Sequence, residues 1–475
     1  MSNKTPVMKT AVNLALTAVV GTFGLLDCTH ENTVGGLPGA GAGGGAGAAV
    51  VSDSPGGAAS GGDSSSGNSS SSGAPSLAGT AGSGGAASSG DSASTGLGGQ
   101  AGAVTDPTAG SNSGGGPTSS AGAPSVLRGN GDGSFGSKVD YPIGTRPIAL
   151  ALGDFNADNK LDVAVTDTDA DIVSVLLGKG DGSFNPKVDY AAGDEPLSVA
   201  LGDFNADGKL DIATANATAG TTSVLLGKGD GTFAGKTEFG TAGRPYSVAI
   251  ADLNGDGKLD IVTADNGSSK LSVLLGKGDG TFAAKTDYAT GTEPNSVAVG
   301  DLNGDGKLDL AATSVTTGTV SVLLGTGGGK FATAEEFSVG SGPQLLTLGD
   351  LNGDGKLDVA TASAYATAVS VLLGAGDGSF AVHVDYETAS YPISLTLADL
   401  NDDGKLDIAA AATFGNSVSV LLGTGNGVLS EKSDYPTATN PNSVALGDLN
   451  ADGALDLVTA NFGAASMSVL LGKTK

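Results

Sequence analysis

The residues best suited to chemistry in this sequence are acidic, and they follow a fixed pattern, D-x-N-x-D-x-x-x-D. It occurs as Asp154, Asn156, Asp158 and Asp162; Asp203, Asn205, Asp207 and Asp211; Asp252, Asn254, Asp256 and Asp260; and Asp301, Asn303, Asp305 and Asp309. Three further copies are Asp350, Asn352, Asp354 and Asp358; Asp399, Asn401, Asp403 and Asp407; and Asp448, Asn450, Asp452 and Asp456. Oxygens at positions 1, 3, 5 and 9, joined by a backbone carbonyl near position 7, can wrap one hard cation. Calcium takes about six to eight oxygen ligands in flexible geometry, whereas magnesium demands a tighter octahedron. Position 6 is glycine, or Asn159 in the first copy, the residue types that best tolerate the positive φ of a sharp turn. Without a cation the three carboxylates of one loop repel, since unit charges 4 Å apart interact by about 1 kcal/mol even in water. The plain alternative is a set of acidic Asx-turns. Seven copies with every ligand position intact favour calcium, in up to seven sites.

The elements that must position these loops repeat with them. Each acidic loop starts 49 residues after the last, and Ser-Val-Leu-Leu-Gly recurs on the same beat from Ser174 to Ser468, as does a proline from Pro147 to Pro441. Within a unit, Ser198 to Gly202, Leu210 to Ala215, Thr222 to Leu226 and a segment around Lys236 to Phe239 read as four short strands between glycine-rich turns. Helix–loop–helix readings of the acidic loop fail, because strand-like Asp260 to Ala264 follows it. Four strands per unit, repeated seven times, predict an all-β fold: a seven-bladed β-propeller with four-stranded antiparallel blades around a channel. The last unit ends after its third strand, and the missing fourth is expected from around Lys138 to Ile143, closing the ring and removing free sheet edges. Residues 125–128 duplicate a strand already supplied and are expected to lie unpaired. Tyr141, Tyr190, Phe239, Tyr288, Phe337, Tyr386 and Tyr435 recur in the fourth strands and are expected to pack between blades.

These loops and turns resemble the FG-GAP/VCBS repeat family, related in fold to the seven-bladed propeller of integrin α-subunits. Gly278 to Phe282 and Gly291 to Pro294 match its Gly-Asp-Gly-Thr-Phe and Gly-x-x-Pro elements. The resemblance covers residues 125–475 and implies that the acidic loops are calcium sites.

Composition excludes other classes. With 50 acidic residues against 23 lysines and arginines, the net charge of −27 argues against a nucleic-acid partner. A disulfide framework is excluded by the single Cys28, and a Cys₂His₂ zinc site by the presence of only His30 and His383. The glycine-rich turn at Gly227 to Phe233 reads as a hairpin, since no helix N-terminus follows it to bind phosphate.

Residues 1–27 read as a signal peptide: Lys4 and Lys9 precede an apolar run from Ala11 to Leu26. Leu25 to Cys28 resembles a bacterial lipobox, from which Leu26 and Asp27 depart, so a lipid anchor through Cys28 is an expectation of this segment. Residues 28–124, almost wholly Gly, Ser, Ala and Thr after residue 30, are expected to form a disordered linker with an end-to-end distance on the order of 50 Å.

The expected strand directions put the acidic loops and glycine turns on one face. The loops on the other face vary among copies: Asp167 to Asp171, Asn266 to Lys270, Tyr365, Phe414 and Phe462 in one set, and Arg146, Glu195, Arg244, Glu293 and Tyr391 in the other. Variation on a fixed scaffold is where recognition can diverge. The expected function is a non-enzymatic, calcium-binding adhesion module, monomeric and displayed outside a bacterial cell, with glycans or surface proteins as ligands. The alternative is a polysaccharide lyase on the same scaffold, for which His383, Arg146, Arg244 and Tyr391 are the available side chains. A third reading is a propeller that only supports assembly with a partner protein.

Overall fold

A computed structural model describes residues 132–473. Among these residues are seven four-stranded antiparallel sheets, one for each 49-residue unit. In the second blade the strands are Pro196–Gly202, Asp211–Asn216, Thr221–Leu225 and Thr237–Gly240, within two residues of the expected spans. The first strand begins two residues earlier than expected, at the proline, which has no N–H to leave unpaired at a strand start. The signal segment, the linker and residues 125–128 lie outside the described residues.

First strands of successive blades adjoin one another all the way round, and Pro441–Gly447 meets Pro147–Gly153 to close the ring. Their small residues make this approach feasible. A Cβ on Gly202 would lie 2.6 Å from both Ile250 Cδ1 and Leu259 Cδ1 of the next blade, so glycine here is the hole for a neighbouring knob. Serines stitch the inner strands together. Val248 N–H donates to Ser198 Oγ at 3.3 Å, and Val444 N–H donates to Ser394 Oγ at 3.3 Å.

Closure follows the expected route. Val139–Pro142 pairs antiparallel with Ser466–Leu470 and supplies the fourth strand of the last blade. The N-terminal segment also completes the last glycine turn, because Phe135 bridges Gly472 as Phe184 bridges Gly178 in the first blade.

The apolar core is divided among seven inter-blade interfaces. Each buried cluster takes side chains from two neighbouring blades, as where Leu150, Leu152 and Val163 meet Val458 and Met467. The fourth-strand aromatics lie here, as expected. Tyr141 meets Phe184 edge to face at 5.4 Å, and Tyr288 meets Phe331 at 5.3 Å.

Candidate functional site

Two groups of residues with chemical potential sit at opposite ends of the strands. Each acidic loop links a first strand to a second and is shaped by its own side chains. Asp154 Oδ1 accepts the N–H of Asp158 at 3.1 Å, and its Oδ2 accepts that of Asn159 at 2.7 Å. Asn303 Oδ1 accepts the Asp305 N–H at 2.9 Å, and Asp305 Oδ1 that of Lys307 at 2.9 Å. Position 6 holds positive φ throughout, Asn159 at 61° included. Position 4 does so as well, even where it is Ala157, Ala206, Asp402 or Ala451. No sequence rule marked position 4, because alanine carries no preference for that conformation.

Position 9 is fully buried in every copy, as at Asp162. Asp162 Oδ2 accepts the Phe155 N–H at 2.8 Å, and Oδ1 accepts the Gly178 N–H at 2.7 Å, tying the acidic loop to the glycine turn. The same pair of bonds recurs through Asp456, which holds Leu449 and Gly472. Burial pushes the Asp162, Asp211, Asp260, Asp358 and Asp407 carboxyls up to about 6 against these two donors; the charges at positions 1 and 5 push the same way. Asp456 is pushed up to about 7, and Asp309 is raised for the same reasons.

The donor chemistry fits a hard cation. Every side-chain donor is an oxygen, and each carboxylate oxygen bound to one N–H keeps a lone pair. At position 7 a lysine ammonium answers the position-5 carboxylate, as Lys209 Nζ does for Asp207 Oδ2 at 3.0 Å. The last copy has Ala454 at that place, and Asp452 Oδ2 is buried with no hydrogen-bond partner. Among the described residues no three His, Cys, Asp or Glu side chains converge as a ready-made metal group.

The second group lies at the axial mouth on the variable face. All seven first strands carry a register shift just after their proline, as between Pro196 and Ser198. Such bulges re-aim a side chain. The residue so displaced is Ile148, Leu197, Tyr246, Asn295, Gln344, Ile393 or Asn442, half-buried while both its neighbours are buried. All seven line one cavity of about 380 Å³, together with Arg146, Tyr391, Phe414 and Phe462. Sequence reasoning missed these seven positions. Their signal was present: they vary among copies inside a strand whose other residues scarcely change.

The variable-face residues expected from the sequence divide. Arg146, Tyr391, Phe414 and Phe462 come together at the cavity. Tyr365 extends the aromatic wall outward, its ring centroid 5.9 Å from that of Tyr391, which lies 4.6 Å from Phe414. Arg244 is not a lining residue; it pairs with Glu195 at 3.0 Å and lies over the Tyr246 ring. Glu293 accepts a hydrogen bond from the Thr316 hydroxyl. His383 is half-buried just before a fourth strand, with its Nδ1 3.0 Å from Ser338 O, and does not line the cavity.

Comparison with known proteins agrees with this architecture. No curated protein matches the chain. Among solved structures, BBS1N in complex with ARL6DN, soaked with lead, is 10% identical, with 73% of this chain and 98% of that one covered at a TM-score of 0.51. A lectin of Agrocybe aegerita, described as recognising non-reducing terminal N-acetylglucosamine, is 21% identical over 67% of this chain and 86% of that one, with a TM-score of 0.45. A catalytically inactive virginiamycin B lyase from Staphylococcus aureus is 14% identical over 71% and 99%, with a TM-score of 0.49. Likeness at these identities concerns the fold alone. The FG-GAP-like repeat matches residues 154–214, 203–263, 252–312, 301–361, 350–410 and 399–459, six overlapping segments that take in every acidic loop. With well over half of its length matched, the chain belongs to the FG-GAP-like repeat family.

Proposed function

We propose that this propeller is a calcium-stabilised extracellular binding module whose ligand enters the axial mouth on the variable face. One observation carries the reading: seven bulged positions, bearing five residue types, converge on a single cavity held by an otherwise repetitive ring. A rigid scaffold presenting dissimilar side chains at one point is suited to recognition.

Calcium has a structural part in this reading. Aspartates and asparagines at loop positions 1, 3 and 5, with the buried aspartate at position 9, would hold it. When bound, it supplies the positive charge that offsets three neighbouring carboxylates. The chain's own residues then fix the blades: position 9 latches the acidic loop to the glycine turn, and the first strand carries that order to the mouth. Glycans or surface proteins are the ligand classes, and adhesion is the role. The apolar run from Ala11 to Leu26 supports export, and Cys28 would give a lipid anchor at the base of the linker.

A binding screen of the full chain against glycans and cell surfaces, with calcium and with chelator, tests this function. Phe414 is 62% exposed, so Phe414→Ala is expected to weaken binding and leave the melting temperature unchanged. Binding that Phe414→Ala leaves intact would overturn the assigned site.

A further inference from the structure

We propose that the axial mouth takes a neutral saccharide, with one sugar ring stacked on the Tyr391–Phe414 wall and its hydroxyls bound by the neighbouring amides. The proposal rests on the reading that this mouth is the ligand site, and adds the chemistry of what enters it.

The aromatic wall is built for exposure. Phe414 and Tyr365 are 62% and 64% exposed, unlike the aromatics of the inter-blade clusters. Tyr391 stands between them at a loop position where Glu195, Glu293, Gly342 and Asn440 share its positive φ, so the ring is carried on a conformation the scaffold repeats. Gly342 provides the seat for the outer ring: a Cβ there would stand 2.4 Å from Tyr365 Cδ2. Open aromatic faces offer an apolar, electron-rich surface to the C–H face of a sugar ring.

Beside this wall the lining sets neutral amides among apolar side chains such as Ile148, Leu197 and Ile393, with Arg146 as its one charged residue. Asn266 Nδ2 donates to Asn295 Oδ1 at 2.7 Å, and Asn295 Nδ2 donates to Gln344 Oε1 at 2.8 Å. Each bond fixes an amide and leaves it further N–H and lone-pair capacity. A chain of oriented amides with spare donors and acceptors suits hydroxyl groups, which both give and accept hydrogen bonds.

Charge argues against an acidic ligand. The cationic lining residue, Arg146, already faces Asp169 at 3.6 Å, and nearby Arg244 is held by Glu195 at 3.0 Å. An anion would compete with these carboxylates for the guanidinium groups and approach a chain of net charge −27. A cavity of about 380 Å³ admits a small ligand or the end of a longer chain, not its flank.

The full chain contains no tryptophan, so binding can be followed by the summed fluorescence of its eight tyrosines, with Tyr391→Phe marking the share of Tyr391, and confirmed by calorimetry. The neutral probes are cello-, xylo-, manno- and maltohexaose; the acidic probe is a galacturonate hexamer. The expected result is saturable binding of at least one neutral hexamer, weakened about tenfold by Phe414→Ala and by Gln344→Ala, with melting temperatures unchanged. Binding of the galacturonate hexamer alone, weakened by Phe414→Ala, would overturn neutrality while supporting the mouth as the ligand site. Neutral binding indifferent to both substitutions would overturn the site itself. Failure of every hexamer at millimolar concentration would overturn the saccharide; a surface-protein ligand lost in Phe414→Ala would then mark the site as right and its chemistry as wrong.

Discussion

Phe135 and Tyr435, drawn from opposite ends of the repeat array, meet edge to face with ring centroids 5.2 Å apart. The Tyr435 hydroxyl also donates to Gly133 O at 3.3 Å. This contact repeats the inter-blade packing seen elsewhere, but here the partner ring arrives from the N-terminal side of the array. It therefore acts as a clasp.

Loss of the clasp should resemble loss of a core residue. Phe135 is 6% exposed, and Phe→Ala at such a site costs about 3 kcal/mol or more. Removal of residues up to 143 should cost more, because it leaves Ser466–Leu470 as an unpaired sheet edge. Thermal melts should rank wild type above Phe135→Ala, and that above the truncation. Size-exclusion chromatography should show self-association only for the truncation.

The acidic loops predict a calcium-dependent melt. Chelation should lower the melting temperature, and Asp256→Ala should lower it in calcium far more than in chelator. The last loop should stand apart from the rest, because Ala454 leaves Asp452 Oδ2 without the lysine partner found elsewhere. Calorimetric titration should resolve its site as the tightest, and Ala454→Lys should merge it with the others. A titration unchanged by Ala454→Lys would show that lysine at position 7 does not tune affinity.

Asp265 gives a pH dependence away from those loops. It is fully buried at the end of a second strand, and burial pushes its carboxyl up to about 6 despite donors from Ser272, Ala242 and Thr263. In the unfolded chain the group titrates near 3.8, so between these values the folded state holds more protons. Stability must then fall as pH rises through that window, by at most about 3 kcal/mol. Asn216 and Asn461 occupy the same place in other blades, where their Nδ2 atoms donate to Ser223 and Ser468. Asp265→Asn should therefore fold, lose this contribution and melt higher than wild type at pH 7.5. The difference between the two proteins should close as pH falls to 4.

The blades and their closure were legible in the sequence because they rest on a strict period, visible in Asp154 to Asp448 and in the segment around Lys138. The acidic loops were legible for the same reason. Period alone could not show that Asp162 spends both oxygens on backbone donors, since Gly178 lies sixteen residues away and meets it only in the folded blade. Nor could it show that Leu197, Tyr246 and Asn295 share one cavity, because that depends on a bulge after each proline and on the ring bringing the bulges together. A residue that differs between copies inside a constant strand was the available clue.

The glycine that ends Ser-Val-Leu-Leu-Gly offers the sharpest test of the latch. A Cβ on Gly276 would lie 2.1 Å from Leu259 O, a backbone atom that cannot step aside alone. The Gly276 N–H donates to Asp260 Oδ1 at 2.7 Å, so any displacement also loosens the acidic loop. Gly240 is the natural control, having nothing within 4 Å of its ideal Cβ. Gly276→Ala should destabilise by about 1–3 kcal/mol or more, whereas Gly240→Ala should leave the melt nearly unchanged. If the latch couples the two turns, Gly276→Ala should also weaken one class of calcium site. A destabilised protein with all its calcium affinity intact would show that the acidic loop keeps its form without the latch.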